Sequence, residues 1–312
     1  MIVALAGGVG GAKLVDGLAC CARPELTVVV NTGDDFEHLG LHISPDLDTV
    51  MYTLAGIANP ATGWGIADET WSTLEQVARL GGPDWFKLGD KDLATHILRT
   101  QRLRRGDRLT DITADFCRAL GITTRLLPMS DDPVRTIVQS GSDRYPFQDY
   151  FVRLQCGVPV TGLQFDGAAS ARPSPEVEAA LRDNALSAIV LCPSNPYLSI
   201  DPILMVPGMR DLLDRTAVPV IAVSPIIGGA AVKGPAGKIM GELGVVPSVV
   251  AIAKHYWGLI DGLMIDTVDA SLAAAVETMG IRVRATSILM RDMNDRQRLA
   301  NECIAFAKGM VS

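Results

Sequence analysis

The strongest constraint on the fold is an alternation along the chain, in which short apolar runs rich in β-branched residues are separated by segments of helical periodicity. Such alternation is typical of parallel strands joined by crossover helices, and continuous apolar runs are typical of strands covered on both faces. The predicted strands are residues 2–6, 26–30, 187–192, 218–223, 263–266 and 281–285. We therefore predict an α/β fold with a mostly parallel sheet flanked by helices.

The middle of the chain is predicted to be mostly helical and to be followed by a small element of different character. The predicted helices are residues 12–20, 70–80, 92–102, 111–120, 269–279 and a terminal helix from Asp295. Asp90 and Thr110 are suitable N-caps for the third and fourth of these. Residues 125–165 show short alternating runs with Gly and Pro between them, which predicts a small, antiparallel β-containing insertion. We expect one domain over residues 1–312.

Charge and composition exclude several classes of protein. The chain has 28 Lys and Arg against 35 Asp and Glu, a net charge of −7, which argues against a basic nucleic-acid binder. The longest uncharged stretch, residues 49–67, contains Asn59, Pro60 and three glycines, so it does not resemble a membrane span. The six cysteines lack paired CxxC spacing, and no basic segment precedes the first apolar run. We expect a cytoplasmic protein without nucleic-acid or membrane partners.

A glycine-rich loop follows the first predicted strand and opens a helix. It contains Gly7, Gly8, Gly10 and Gly11, whose backbone N–H groups can approach a phosphate closely. The spacing fits neither the dinucleotide fingerprint, because Lys13 stands where the third glycine belongs, nor the Walker pattern. Phosphate binding is the favoured interpretation, and a tight turn with close strand-to-helix packing is the alternative.

Acidic residues follow the second predicted strand, at the edge where ligands bind in open parallel sheets. Asp34 and Asp35 suit a magnesium ion, the ribose of a nucleotide or an ordinary turn. In the next motif Ser44 is a suitable N-cap and Pro45 suits the first helical position. Asp46 in the first turn already satisfies the helix dipole and is explained by helix formation, which leaves Asp48 as a candidate for function.

Three further segments carry polar groups. His96 and Arg99 lie three residues apart after the charged segment 87–92, and such a pair more often marks a solvated helix face than a cationic site. Ser194 and Asn195 follow an apolar strand, and Asn is suited to reading a base edge. A second glycine-rich stretch, residues 224–238, contains Lys233 and follows the next strand, which favours a second phosphate-facing loop over a solvated surface loop.

These motifs, in this order, resemble the 2-phospho-L-lactate transferase family (CofD, called FbiA in mycobacteria) along nearly the whole chain. The resemblance rests on the first glycine loop and on the segments 31–35, 44–49, 87–94, 193–196 and 233–235. It implies a Rossmann-like fold, a Mg²⁺-dependent transferase and often a homodimer. The implied reaction belongs to coenzyme F-420 biosynthesis: the ribityl hydroxyl of the deazaflavin FO attacks a phospho-acid that is joined to GMP through a diphosphate, and GMP is released.

The resemblance also implies roles for single residues. Asp48 and Lys87 would contact FO, while Ser194 and Asn195 would face the guanine nucleotide. On physical grounds the first glycine loop and Lys233 would hold the diphosphate, because phosphoryl transfer depends on charge neutralisation and in-line positioning. Asp34 or Asp48 would hold the metal, and Asp48 is equally suited to accept the hydroxyl proton. No motif distinguishes a lactyl, enolpyruvyl or glyceryl donor.

Two other functions compete with the transferase. A regulatory nucleotide-sugar-binding protein of the gluconeogenesis-factor type would share the glycine loop, but the Asp48, Lys87 and Ser194–Asn195 contexts favour the transferase. A nicotinamide oxidoreductase is suggested by the βαβ start and the acids after the second strand, but the glycine spacing is wrong for it.

Overall fold

The computed structural model describes residues 1–22 and 25–311. Its strands are β1 (Ile2–Ala6), β2 (Leu26–Val30), β3 (Phe36–His38), β4 (Leu41–Ile43), β5 (Arg125–Pro128), β6 (Arg135–Ser140), β7 (Asp143–Pro146), β8 (Gly162–Asp166), β9 (Ala188–Leu191), β10 (Val220–Val223), β11 (Ile226–Ile227), β12 (Ala230–Ala231), β13 (Gly262–Ile265) and β14 (Arg282–Ala285). Its α-helices are α1 (Gly8–Cys21), α2 (Pro45–Leu54), α3 (Ser72–Arg79), α4 (Asp90–Arg104), α5 (Leu109–Ala119), α6 (Pro175–Leu181), α7 (Asp201–Leu204), α8 (Met209–Asp214), α9 (Ala236–Glu242), α10 (Val249–His255), α11 (Ala273–Glu277) and α12 (Met293–Val311).

Seven parallel strands of the described chain form the central sheet, in the order β14-β13-β10-β9-β1-β2-β5. The strand β1 lies at its centre, and Ile2 is paired with Leu26 on one side and with Ala188 on the other. The order reverses beside β1, which places a topological switch point at the carboxyl end of that strand. The fold is therefore α/β and Rossmann-like, as the sequence predicts.

Helices cover both faces of the sheet because the side chains of each strand alternate between two apolar cores. Val3 and Leu5 belong to one core, which is closed by α6, α7, α8 and α10. Ile2, Ala4 and Ala6 belong to the other core, which is closed by α1, α2 and α12. No α-helix within residues 1–22 and 25–311 is long and apolar enough to cross a membrane.

The small element predicted at 125–165 is antiparallel, but it starts later than predicted. It is the sheet β7-β6-β8, and it begins at Arg135. The segment Arg125–Pro128 instead pairs in parallel with β2 as the edge strand of the central sheet. Its Leu126 and Leu127 are only 3% exposed, because they enter the core instead of the insertion. A second difference concerns 269–279, where a 3₁₀ segment (Thr267–Leu272) precedes the short α11.

The two predicted N-caps are wrong, because each helix begins earlier and neither residue caps its own helix. Asp90 is the first residue of α4, and its carboxylate accepts the backbone N–H groups of Ser72 and Thr73 at the start of α3. Thr110 lies inside α5, and its own N–H donates to the carboxylate of Asp131. In both cases a carboxylate distant in sequence satisfies the first N–H groups of the helix.

A matched pair of glycine substitutions tests the packing of α1 against α12. Gly17 in α1 faces the backbone carbonyl of Arg296 in α12, where a Cβ would overlap it, whereas a Cβ at Gly241 in α9 meets open space. We expect G17A to lower the free energy of unfolding by about 1–3 kcal/mol, and G241A to raise it by up to about 1 kcal/mol. Urea denaturation of both variants checks this, and a stabilised G17A would contradict the packing.

Candidate functional site

The carboxyl ends of β1, β2 and β9 bring three predicted motifs to one edge of the sheet. These are the glycine loop after Ala6, the Asn31–Asp35 segment after Val30 and the Ser194–Asn195 turn after Leu191. Ser194 joins two of them, since its Oγ accepts the N–H of Gly7 at 3.0 Å and donates to the carbonyl of Gly7 at 2.8 Å. This edge is where open α/β sheets bind ligands.

Close packing requires the glycines of the first loop. A Cβ at Gly7 would overlap the Asp46 carboxylate, one at Gly10 the carbonyl of Pro193, and one at Gly11 the Ser194 hydroxyl. Gly8 has a φ of +61°, in the left-handed region that favours glycine. The tight-turn interpretation is therefore correct for the geometry, and it leaves the helix N-terminus open to a ligand. The N–H of Gly8 donates to Asp46 at 2.7 Å, which leaves those of Val9 and Gly10 for that ligand.

Asp46 is a central site residue that the sequence analysis assigned only to helix formation. Its carboxylate accepts hydrogen bonds from the N–H of Gly8 at 2.7 Å and from Nδ2 of Asn31 at 2.9 Å. Burial raises its pKa to about 6, despite these hydrogen bonds. The glycine loop thus faces a buried carboxylate on the side of β2.

Asp34 and Asp35 lie in the same buried group of acids. Burial, and then the negative charges of Asp46 and Asp35, raise the pKa of Asp34 well above its usual value. Nδ2 of Asn31 lies 3.4 Å from Oδ1 of Asp34 and 2.9 Å from Oδ2 of Asp46, so one amide spans the two carboxylates. Oδ2 of Asp35 accepts a hydrogen bond from the Ser44 hydroxyl and pairs with Nε2 of His42, each at 2.9 Å. Its Oδ1 is buried and has no partner among the described residues. The attraction of Arg135 does not offset the burial of Asp34 and the repulsion from the other two acids.

Asp48 has a different partner from these acids. Both of its oxygens accept hydrogen bonds from the guanidinium of Arg99 in α4, and both residues are buried. Burial alone would lower the pKa of Arg99, but the charge of Asp48 and its hydrogen bonds raise it. The preferred interpretation of His96 and Arg99 as a solvated helix face is therefore wrong, since each is only 1% exposed. The ion pair ties α2 to α4.

Asp48, Asp92 and His96 form the one triad of possible metal ligands among residues 1–22 and 25–311. His96 lies between the two acids, with Nδ1 3.7 Å from Asp48 and Nε2 3.2 Å from Asp92. Burial opposes ionisation of Asp92, but the His96 ring and the Tyr52 hydroxyl outweigh it and lower its pKa. Because Arg99 already supplies a cation to Asp48, this triad suits a metal less well than the acids around Asp34.

Three lysines lie around the site. Lys13, one turn along α1 from Val9, donates to the carbonyl of Met290 at 2.9 Å, and Lys233 donates to the carbonyl of Thr62 at 2.6 Å. Burial and then the charges of Arg296 and Lys233 lower the pKa of Lys13. Lys87 is exposed and makes no ion pair with any residue in the described part of the chain. The sequence analysis missed Lys13, although its place one turn into a glycine-loop helix was a usable signal.

The side chains of Ser194 and Asn195 are hydrogen-bonded mainly to backbone groups. The hydroxyl of Ser194 is taken up by Gly7, and Oδ1 of Asn195 accepts the N–H groups of Tyr197 and Leu198. Nδ2 of Asn195 is buried and has no partner among the described residues. Of the two side chains, Asn195 therefore has the free donor for a ligand.

The second glycine-rich stretch is a hairpin followed by a lysine. Gly228 and Gly229, both with positive φ, form the two-residue turn between β11 and β12. The N–H of Gly228 donates to Asp269 at 2.9 Å. Within this stretch, only Lys233, which follows the hairpin, contacts the segment 62–63. That segment packs on Val9 at the start of α1.

Comparison with known proteins identifies the family. The sequence profile described as 2-phospho-L-lactate transferase CofD matches residues 2–298. The chain belongs to the CofD family. A phosphoenolpyruvate transferase of Streptomyces avermitilis is 45% identical, with 98% of each chain covered. A 2-phospho-L-lactate transferase of Methanosarcina mazei is 39% identical, with 96% of this chain and 98% of that protein covered.

The CofD fold is also found in solved structures of distant sequence. A member of the UPF0052 family from Bacillus halodurans matches with a TM-score of 0.64 at 14% identity, and 97% of this chain and 98% of that chain are covered. At such low identity the likeness concerns the fold alone. Family membership supports a transferase that acts on phospho-acids in F-420 biosynthesis.

The raised pKa of Asp46 predicts a pH-dependent stability. The folded-state pKa of about 6 exceeds the unfolded value of 3.8, so ionised Asp46 destabilises the fold at neutral pH, and protonation below about pH 6 removes that cost. We expect the free energy of unfolding of the wild type, relative to D46N, to be higher at about pH 4.5 than at about pH 7.5 by about 2 kcal/mol.

Urea denaturation at the two pH values measures this difference, with D90N as the control. Hydrogen bonds from Thr70 and the N-terminus of α3 lower the pKa of Asp90 to about 2, so its contribution is constant across this window. A wild-type to D46N difference that does not change with pH would contradict a buried, ionised Asp46.

Proposed function

We propose that this CofD protein transfers a phospho-acid from its GMP diphosphate to the ribityl hydroxyl of FO and releases GMP. The observation that carries the proposal is the whole-chain similarity to named phospho-acid transferases, at 39–45% identity. The geometry supports it, since amides, lysines and carboxylates meet at one sheet edge, as phosphoryl transfer requires.

The donor diphosphate would bind on the side of the glycine loop that carries the lysines. Val9 and Gly10 are partly exposed at the positive end of α1, where their N–H groups lack partners inside the helix, and Lys13 and Lys233 lie nearby. Both ammonium groups are hydrogen-bonded to backbone carbonyls and have no carboxylate partner within residues 1–22 and 25–311, so their charge is available to an anion. Nδ2 of Asn195 is the donor suited to the guanine edge.

Mg²⁺ is the metal that the acids around Asp34 fit best. Mg²⁺ takes oxygen ligands, usually one or two carboxylates together with substrate phosphates. Asp34 and Asp46 share the amide of Asn31, and the attraction of Arg135 offsets the burial of Asp34 only in part, so a bound cation would favour the ionised acids. We assign the metal to Asp34, with Asp46 beside it, and not to Asp48, whose oxygens are held by Arg99. Bound there, Mg²⁺ would neutralise charge on the phosphate oxygens.

Asp48 and Lys87 remain our assignments for the acceptor. Arg99 fixes both oxygens of Asp48, so this carboxylate is rigid and suited to orienting the ribityl hydroxyl, and Lys87 is free to contact FO. In the step itself, the hydroxyl oxygen forms a bond to the phosphorus of the phospho-acid, and the bond from that phosphorus to the GMP oxygen breaks. GMP leaves with the electron pair, and the hydroxyl proton passes to a carboxylate or to water. We also propose a cytoplasmic homodimer, as the family resemblance implies.

The choice of phospho-acid follows a difference in identity between two groups of named relatives. Relatives called phosphoenolpyruvate transferase are 42–45% identical to this chain, and those called 2-phospho-L-lactate transferase are 39–40% identical. We therefore expect the enolpyruvyl donor to react fastest. The assay incubates purified protein with Mg²⁺, FO and each of the three GMP-linked phospho-acids, and measures GMP and the more acidic deazaflavin product. Absence of product with every donor would reject the proposed function.

Substitution of the two lysines tests the donor site. We expect K13Q and K233Q each to raise KM for the donor about tenfold, because each removes about 1–2 kcal/mol of attraction for the diphosphate, while KM for FO stays unchanged. K254Q is the control, since Lys254 is exposed at the end of α10. Steady-state kinetics with each substrate varied gives both constants, and an unchanged donor KM in K13Q would exclude Lys13 from the site.

A further inference from the structure

Four aromatic side chains form a compact group beside the acids. They are Phe36 and His38 of β3 and Trp85 and Phe86 of the segment before α4, and every pair of these rings has centroids within 6.1 Å. The chain is poor in aromatics, with seven Phe and four Trp in 312 residues. We call this group the four-ring cluster. It concentrates flat apolar surface at one place in the molecule.

The cluster lies next to the proposed acceptor residues. Phe36 directly follows Asp35, and β3 pairs with β4, whose His42 contacts Asp35. On the other side of the cluster, Phe86 directly precedes Lys87, and the chain then continues into α4, which carries Arg99. The cluster is thus connected at both ends to the groups around Asp48.

Two features distinguish the cluster from an ordinary core. Phe36, Trp85 and Phe86 are only partly buried, and none of the four rings is stacked face to face on another ring of the cluster. His38 is 5% exposed, and its Nε2 has no hydrogen-bond partner among the described residues. Leaving a buried polar group without a partner is unfavourable, and a bound ligand could supply the missing hydrogen bond to this nitrogen.

We propose that the four-ring cluster binds the planar ring system of the acceptor. Trp85, Phe86 and Phe36 pack against the ring, and Nε2 of His38 hydrogen-bonds a polar group on its edge. The inference rests on the proposed function, because it takes the acceptor to be the deazaflavin FO. Burial lowers the pKa of His38, and a neutral imidazole suits an uncharged ring with polar edge groups. The cluster therefore contributes to acceptor specificity, separately from the groups that bind the nucleotide.

The Phe147–Phe151 pair and Trp257 lack these features. Phe147 and Phe151 stack on each other at 5.3 Å with an interplanar angle of 17°, so each covers a face of the other. Trp257 is 67% exposed, and it lies beyond α10, next to the amino-terminal ends of β10 and β13. Trp257 is therefore a matched control for Trp85.

The test measures binding of FO alone by equilibrium dialysis, with GDP binding measured in parallel on the same preparations. We expect W85L and H38F each to weaken FO binding about fivefold, since stacking and a neutral hydrogen bond are each worth about 1 kcal/mol, while GDP binding stays unchanged. H38F keeps an aromatic ring in place and removes both ring nitrogens, including Nε2. W257L is expected to bind FO like the wild type.

Each other outcome overturns a defined part of the argument. Wild-type FO affinity in both W85L and H38F would overturn the inference and leave the proposed function intact. An equal loss of FO and GDP binding in these variants would make the cluster a structural core, and would also overturn the inference. Failure of the wild type to bind FO, with normal GDP binding, would reject the acceptor in the proposed function together with the cluster's role.

Discussion

Parallel pairing of β1 with β2 on one side and with β9 on the other is the constraint on which the site depends. It brings the carboxyl ends of three strands together, although β9 lies more than 150 residues beyond β2. The hydroxyl of Ser194 then fixes the loop of β1 to that of β9, and Asp46 fixes the same loop to α2. Because these contacts are short and buried, the glycine loop has little freedom to rearrange when a ligand arrives.

Charge is separated across this edge. On the side of β2, three buried carboxylates share neutral partners such as Asn31 and Ser44. On the side of α12, Lys13 and Lys233 have carbonyl partners and increase the positive potential at the start of α1. A diphosphate with a bound cation has the matching pattern, negative toward the lysines and positive toward the acids. Asp48 stands apart from this pattern, because Arg99 neutralises it inside the fold.

Much of the fold could be predicted from local sequence, and less of the site. The strands β1, β2, β9 and β10 could be recognised in the sequence, because both of their faces are buried and their apolar runs are unbroken. The partners of charged groups could not be recognised, because they are distant in sequence. Asp48 and Arg99 are 51 residues apart, and Gly8 and Asp46 are 38 residues apart. Distance in sequence also explains the wrong N-cap predictions, since Asp90 lies in α4 but accepts a hydrogen bond from the start of α3. The metal and substrate assignments at Asp34, Asp48, Lys87, Ser194 and Asn195 remain predictions.

The contact of Ser194 with Gly7 spans 187 residues and has a consequence for biosynthesis. During translation β1 emerges first, but its neighbour β9 and the serine that anchors the glycine loop emerge only after more than half of the chain has been made. Until then one edge of β1 is unpaired, and α12, which packs on α1 through Gly17, does not yet exist. High contact order therefore delays assembly of the glycine loop until well past the midpoint of translation, and the unpaired edge of β1 is open to association in the meantime.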